Sequence, residues 1–249
     1  MKRLLLAGAA LAALASSPAA AFDISAMSDA ERGAFREEVR SYLLENPELL
    51  LEVIAVLEKQ QAEAQATGDQ QLIQTNATAL FEDENSWVGG NPEGDVVLVE
   101  FMDYRCGYCK KAFEEVEALL ESDGNIRFIV KEFPILGEES EMAARFAIAT
   151  LQLEGDAAYK AVHDDLMTMR GQVSEGSLAK IGRAAGIDVE AVKAHMDSDD
   201  VSSVIAENRA LAARLNISGT PGFVLGDTML RGYLPLDAMR EVVKEIRTQ

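Results

Sequence analysis

Apolar residues recur at helical spacing through the first third of the chain. Ser28-Asp29-Ala30-Glu31 has the form of a capping box, and Phe35, Val39, Tyr42 and Leu43 follow on one face, which predicts a helix to about Glu45. Asn46-Pro47 ends it and opens a second, with Asn46 as N-cap and Pro47 at the first helical position. That helix carries Leu49, Leu50, Val53, Ile54, Val56 and Leu57 before a break at Gly68. A third segment from Asp69 holds Leu72, Ile73, Ala77, Leu80 and Phe81. Residues 22–82 thus read as a helical arm with too few apolar side chains to close a core of its own. Its faces must pack on the rest of the chain or on copies of themselves. The band over 49–57, wider than one intramolecular face needs, favours copies.

Gly89-Gly90-Asn91-Pro92-Glu93-Gly94 predicts a linker over 83–95, and beyond it the period changes. Val96 to Met102 is a nearly continuous apolar run, as in a strand covered on both faces of a parallel sheet. A helix on Phe113, Val116, Leu119 and Leu120 and a strand over Ile126–Val130 complete a βαβ unit. From about 140 to 215 the pattern is helical throughout. Strands return at Phe223-Val224-Leu225 and Met229-Leu230-Arg231, joined by a Gly226-Asp227 turn, before a last helix over 236–246. The fold class is α/β, a domain over 96–249 reading β-α-β, helical insert, β-β-α.

Composition adds a compartment. Met1-Lys2-Arg3, an apolar run from Leu4 to Ala15 and Ser16-Ser17-Pro18-Ala19-Ala20-Ala21 have the order of a secretory signal, cleaved after Ala21. No later apolar run approaches the roughly 18 residues of a membrane span, so a soluble exported protein is expected. The formal charge of −19 becomes two units more negative when Lys2 and Arg3 leave with the signal. Such a surface repels nucleic acid and anionic lipid, and its scattered acids serve solubility.

Export gives weight to Cys106 and Cys109, the only two cysteines. Structural disulfides in oxidising compartments normally join distant residues, and this pair closes a loop too small to add much stability. The pair therefore reads as chemical. Cys106-Gly107-Tyr108-Cys109 follows a strand and opens a helix, where free N–H groups and the positive end of the helix dipole favour a thiolate at Cys106. Cys109, one turn further in, is less exposed and suits the resolving role in thiol–disulfide exchange. No metal site is expected: zinc needs four ligands, and the remaining soft candidates, His163 and His195, read as ordinary helix residues far from the motif. Glu100 is a charged residue in an apolar strand, six positions before Cys106. Burial would raise its pKa and fit it to accept a proton from Cys109; the alternative is a strand-edge pair facing water.

Three motifs in this order carry a resemblance: Val-Glu-Phe-x-Asp-Tyr-x-Cys-Gly-Tyr-Cys at 99–109, Val-Lys-Glu-Phe-Pro-Ile-Leu-Gly at 130–137 and Gly-Thr-Pro-Gly-Phe at 219–223. Residues 96–247 resemble thioredoxin-fold proteins of the DsbA-like class, in which a helical domain is inserted between the βαβ and ββα halves. With its leader the chain is most similar to the suppressor-of-copper-sensitivity C (ScsC-like) subgroup. The resemblance implies a cis peptide at Pro221, Thr220 beside Cys106, substrate contacts at Gly107, Tyr108, Thr220 and Pro221, and a lysine partner for Glu100 at Lys131. It implies no cofactor beyond the Cys106–Cys109 dithiol. A Cys-Gly-Tyr-Cys motif with threonine before the proline is similar to the dimeric isomerase DsbC, which makes disulfide isomerase the expected activity. Its implied partners are cysteine-containing exported proteins, an electron-donating membrane reductase (DsbD- or ScsB-like) rather than a DsbB-like oxidase, and further copies of the chain, as in a trimer, in the periplasm. Two alternatives stay open: a monomeric dithiol oxidase, and a Cu(I)-binding or holdase protein of copper tolerance, since thiolates suit that ion.

Overall fold

A capping box starts the first helix. Ser28 N–H donates to Glu31 Oε2 at 2.9 Å, and α1 (Asp29–Glu45) follows a single 3-10 turn at Ile24–Ala26. Asn46 closes this helix rather than opening the next, because both its backbone N–H and its Nδ2 donate to the Tyr42 carbonyl, at 2.9 and 2.8 Å. The structure, a computed structural model, describes residues 24–248, so the leader read at 1–21 lies outside the described residues. Two compact units divide at Lys59 and Gln60. Within the first, no described residue is buried, and Phe35, Val39, Tyr42, Leu44, Leu50, Leu51, Val53, Ile54, Val56 and Leu57 are all exposed.

Helix α2 (Glu48–Thr75) does not break at Gly68. A glycine inside a helix costs only about 1 kcal/mol relative to alanine, and the turns after it are pinned in the second unit. Asp69 accepts both Nη groups of Arg231 at 2.7 and 2.8 Å, Gln70 donates to Asp227 at 2.9 Å, and Ile73 is buried. Short α3 (Ala77–Phe81) continues the cover, so residues 60–82 belong with the sheet and not with the arm.

The stretch read as a linker contains a strand. β1 (Trp87–Gly90) pairs antiparallel with β3 (Ile126–Glu132), Trp87 opposite Val130. Gly89-Gly90 looks like turn chemistry, but Gly89 lacks a side chain because the Trp87 indole occupies the place where its Cβ would project. β2 (Val96–Met102) runs parallel to β3 and is joined to it by α4 (Gly107–Asp123). Five helices follow: α5 (Glu138–Glu154), α6 (Asp156–Thr168), α7 (Glu175–Ala185), α8 (Val189–His195) and α9 (Asp199–Arg214). The chain then returns through β4 (Gly222–Leu225), β5 (Thr228–Arg231) and α10 (Leu236–Ile246), giving sheet order β1-β3-β2-β4-β5.

Both faces of this sheet are covered, which accounts for the apolar run in β2. Successive strand residues alternate faces. Leu98 and Met102 with Phe128 and Val130 meet the core that includes α4 to α7 and α10, while Val99, Phe101 and Ile129 meet Ile73, Leu80, Leu211 and Leu215 on the opposite side. Among the described residues no helix is long and apolar enough to cross a membrane.

Candidate active site

Residues 103–106 turn the chain between β2 and α4, and Asp103 builds the turn. Its buried carboxylate accepts the N–H groups of Arg105 (2.7 Å), Ile135 (2.8 Å) and Leu136 (3.1 Å), and its carbonyl accepts the Cys106 N–H at 3.0 Å. The cysteine loop is thereby tied to the segment after β3. Cys106 becomes the N-cap of α4, at the positive end of the helix dipole.

The two thiols are free and unequal: Cys106 is 8% exposed and Cys109 fully buried. A hydrogen bond from the Cys109 thiol is the chief cause holding Cys106 down at about 5, against burial and with help from Thr220 and the N–H groups of Cys109 and Tyr108. That same bond, together with burial and the charge of Glu100, pushes Cys109 far up. At neutral pH one sulfur, slightly accessible, is a thiolate, and the neighbour beneath it is a protonated thiol.

Thr220 and Pro221 come to this place because β4 pairs with β2, Gly222 opposite Phe101. The Thr220–Pro221 peptide is cis, and the Cys106 sulfur lies 3.2 Å from the Thr220 carbonyl oxygen. Gly107 and Tyr108 are exposed around the sulfur. The Tyr108 ring lies 6.3 Å from that of Tyr233, whose hydroxyl donates to Glu115 at 2.8 Å and whose face carries Lys111 Nζ at 4.1 Å. Ile135 and Leu136 are exposed on the loop that Asp103 holds.

Beneath the dithiol lies Glu100, 2% exposed, so it does not face water. Burial first, then the charges of Cys106 and Glu132, push its pKa up to about 8. Lys131 is not its partner. Register sets Glu100 opposite Val130, and alternation turns Lys131 to the other face of the sheet, where its Nζ donates to Asp83 (2.6 Å) and to the Ala79 carbonyl (2.9 Å). Burial alone would raise Asp83, but hydrogen bonds from Lys131, Ser86 and Asn85 hold it below the usual carboxylate range.

The residue on Glu100's face is Glu132. Its Oε1 accepts the hydroxyls of Tyr104 and Tyr159, both at 2.7 Å, and the Tyr104 oxygen lies 3.0 Å from His163 Nδ1. His163 is thus a member of a buried polar cluster rather than an ordinary helix residue, and burial lowers its pKa to about 3, keeping it neutral. Sequence reasoning missed Glu132, Tyr104, Tyr159 and His163. Period-two alternation through Ile126, Phe128 and Val130 was the available signal for Glu132.

A five-stranded sheet whose β2 to β5 run βαβ–ββα, a helical insertion and an unequal dithiol beside a cis-proline define a dithiol protein of thioredoxin fold. Residues 97–244 match the DSBA-like thioredoxin domain, and residues 31–64 match the N-terminal domain of copper resistance protein ScsC. The chain belongs to the DSBA-like thioredoxin family, in its ScsC-like subgroup. Among solved structures it is similar to a thioredoxin-like oxidoreductase from Silicibacter pomeroyi DSS-3, 41% identical, covering 69% of this chain and 98% of that one with a TM-score of 0.65. It is also similar to BcfH of Salmonella enterica Typhimurium, 28% identical over 87% of this chain and 96% of that one with a TM-score of 0.70. Among curated relatives, thiol:disulfide interchange protein DsbC of Escherichia coli K12 is 26% identical over 62% of this chain. The chain spans 53% of that protein and only 24% of Na(+)/H(+) antiporter NhaA 1 of Salinispora arenicola, which it matches at 27% identity over 63% of its own length.

Proposed function

We propose that the protein is a periplasmic thiol:disulfide oxidoreductase that works as a disulfide isomerase on cysteine-containing exported proteins, with Cys106 and Cys109 as its only redox group. The observation that carries the chemistry is the unequal pair: a low-pKa sulfur at a helix N-terminus above a buried, protonated one. The Cys106 thiolate attacks a client disulfide and forms a mixed disulfide, expelling a client thiolate that can attack elsewhere in the same client. If the client stalls, Cys109 gives its proton to the Glu100 carboxylate and attacks the Cys106 sulfur. The Cys106–Cys109 bond forms, and the electron pair of the broken bond leaves on the client sulfur. Gly107, Tyr108, Thr220 and Pro221 surround the client backbone, and a membrane electron donor returns the dithiol to its reduced form.

The direction of exchange rests on the arm. Eleven exposed apolar side chains among the described residues before Lys59 have no core to enter, and covering them with other copies would group several dithiols around one client. Leu50→Glu/Ile54→Glu in the whole chain tests this by sedimentation and by refolding of scrambled ribonuclease. The expected result is a lower mass per particle and lost isomerisation with Cys106 thiolate content unchanged. Equal mass for variant and wild type sinks the oligomer reading, and refolding activity that survives Cys106→Ser/Cys109→Ser sinks the enzyme reading.

A further inference from the structure

Two carboxylates lie buried on the same face of the sheet, below the dithiol. Glu132 sits opposite Met102, two residues along β2 from Glu100, and alternation points both into the core containing Cys109. Their surroundings differ. Glu132 Oε1 accepts two hydroxyl protons, whereas Glu100 Oε1 and Glu132 Oε2 are buried without a partner. The charge of Glu132 makes Glu100 harder to ionise, and hydrogen-bond donors decide which member of the pair loses its proton first.

We propose that Glu132 is a positioning residue for the resolving step: Tyr104 and Tyr159 favour negative charge on Glu132, and that charge raises the proton affinity of Glu100, so that its ionised carboxylate is a base strong enough to take the Cys109 proton. The inference rests on the reading of Glu100 as proton acceptor. It also gives the inserted helices a part in the chemistry, because Tyr159 and His163 come from α6.

The hydrogen-bond pattern allows this charge to be held. With Glu132 ionised, both tyrosines donate to it and His163 Nδ1–H donates to the Tyr104 oxygen, so each of these contacts has one donor and one acceptor. The charged and titratable groups facing the pair are Cys106 and Cys109 from the start of α4, Asp103 and Tyr104 from the turn, Tyr159 and His163 from α6, and Lys160 acting on His163. Burial first, with the Asp103 charge, pushes Glu132 up to about 8, and the hydroxyls of Tyr159 and Tyr104 work against that rise and favour its ionised form. When Cys106 enters a mixed disulfide its charge disappears, and one of the influences raising Glu100 goes with it. The charge of Glu132, in its ionised form, is then the influence left to keep Glu100 basic near neutral pH, where a proton acceptor works best.

The test uses the full chain and Ellman's reagent. Attack by Cys106 gives a mixed disulfide with thionitrobenzoate, and attack by Cys109 releases that thiolate in a second phase whose rate is followed against pH. Wild type is expected to show a midpoint in the neutral range, Glu100→Gln to lose it, and Glu132→Gln to move it down by about one pH unit, tenfold in proton affinity. Tyr159→Phe removes one donor and is expected to move the midpoint in the same direction by less, which keeps the idea testable if Glu132→Gln folds poorly. Trp87, the one tryptophan, stacks on Tyr159 at 5.5 Å and on His163 at 6.4 Å, so its fluorescence checks that the cluster is intact. An unmoved midpoint in both Glu132→Gln and Tyr159→Phe, with Glu100→Gln altered, overturns the role of Glu132 and leaves Glu100 standing. A wild-type profile in Glu100→Gln overturns both.

Discussion

Lowering the pH should remove a stabilisation that only the reduced protein has. In the folded reduced chain Cys106 titrates at about 5, chiefly through the Cys109 hydrogen bond, and in the unfolded chain an ordinary thiol titrates at roughly 8.5. The folded value is depressed, so the contribution is full above roughly pH 8.5 and vanishes as the pH falls through about 5. At pH 7 the folded thiolate is two units above its midpoint while the unfolded thiol is still protonated, which amounts to about 3 kcal/mol at roughly 1.4 kcal/mol per unit. The oxidised chain has no thiol to titrate. The assay is urea unfolding of reduced and oxidised protein from pH 8 to pH 4, with thiolate absorbance read in parallel. Taking the difference cancels carboxylates common to both forms, and a Glu100→Gln background removes the one that couples to Cys106. The expected outcome is that reduced-minus-oxidised stability falls by about 3 kcal/mol between pH 7 and pH 4, equivalent to roughly 60 mV of redox poise. A flat difference, or thiolate absorbance lost near pH 8, would refute the claim that this helix start and its second thiol activate Cys106.

Two further outcomes follow from packing. Asp83→Ala leaves the Lys131 ammonium buried without its carboxylate and should cost about 3–5 kcal/mol, whereas Lys131→Met should cost much less; neither should move the Cys106 thiolate midpoint, because Lys131 is on the far face. Urea midpoints and thiolate absorbance check both parts. Gly89→Ala puts a methyl group into the Trp87 ring and should cost about 1–3 kcal/mol, with a changed Trp87 emission because the indole must leave Tyr159.

The strands, the inserted helices and the dithiol were legible because each rests on a local pattern: an apolar run, a 3.6-residue period, or a CxxC at a strand-to-helix junction. β1 was not, because its signal is two residues long and the glycine after it serves the Trp87 ring rather than a turn. Gly68 looked like a stop because glycine disfavours a helix, and the helix runs on because Asp69 is held by Arg231, 162 positions away in sequence. Lys131 was assigned to the dithiol by likeness of motif, and one residue of strand alternation reverses that assignment. His163 and Tyr159 reach Glu132 only after α6 docks, and no spacing in the sequence records the docking.

The corrected boundary changes the argument about assembly. A strand such as β2 needs cover on both faces, and Ile73 and Leu80 supply part of it against Val99, Phe101 and Ile129. Cutting the chain near Asp83, at the start of the stretch that the pattern reads as a linker, would therefore uncover the sheet and lower stability whatever the arm does. Loss of activity in such a fragment would say nothing about oligomers. The apolar side chains before Gln60 are exposed in a unit with no buried described residue, so the question of direction belongs to Leu50, Ile54 and their neighbours. Charges placed there perturb the arm and leave every contact of Asp69, Ile73 and Leu80 in place.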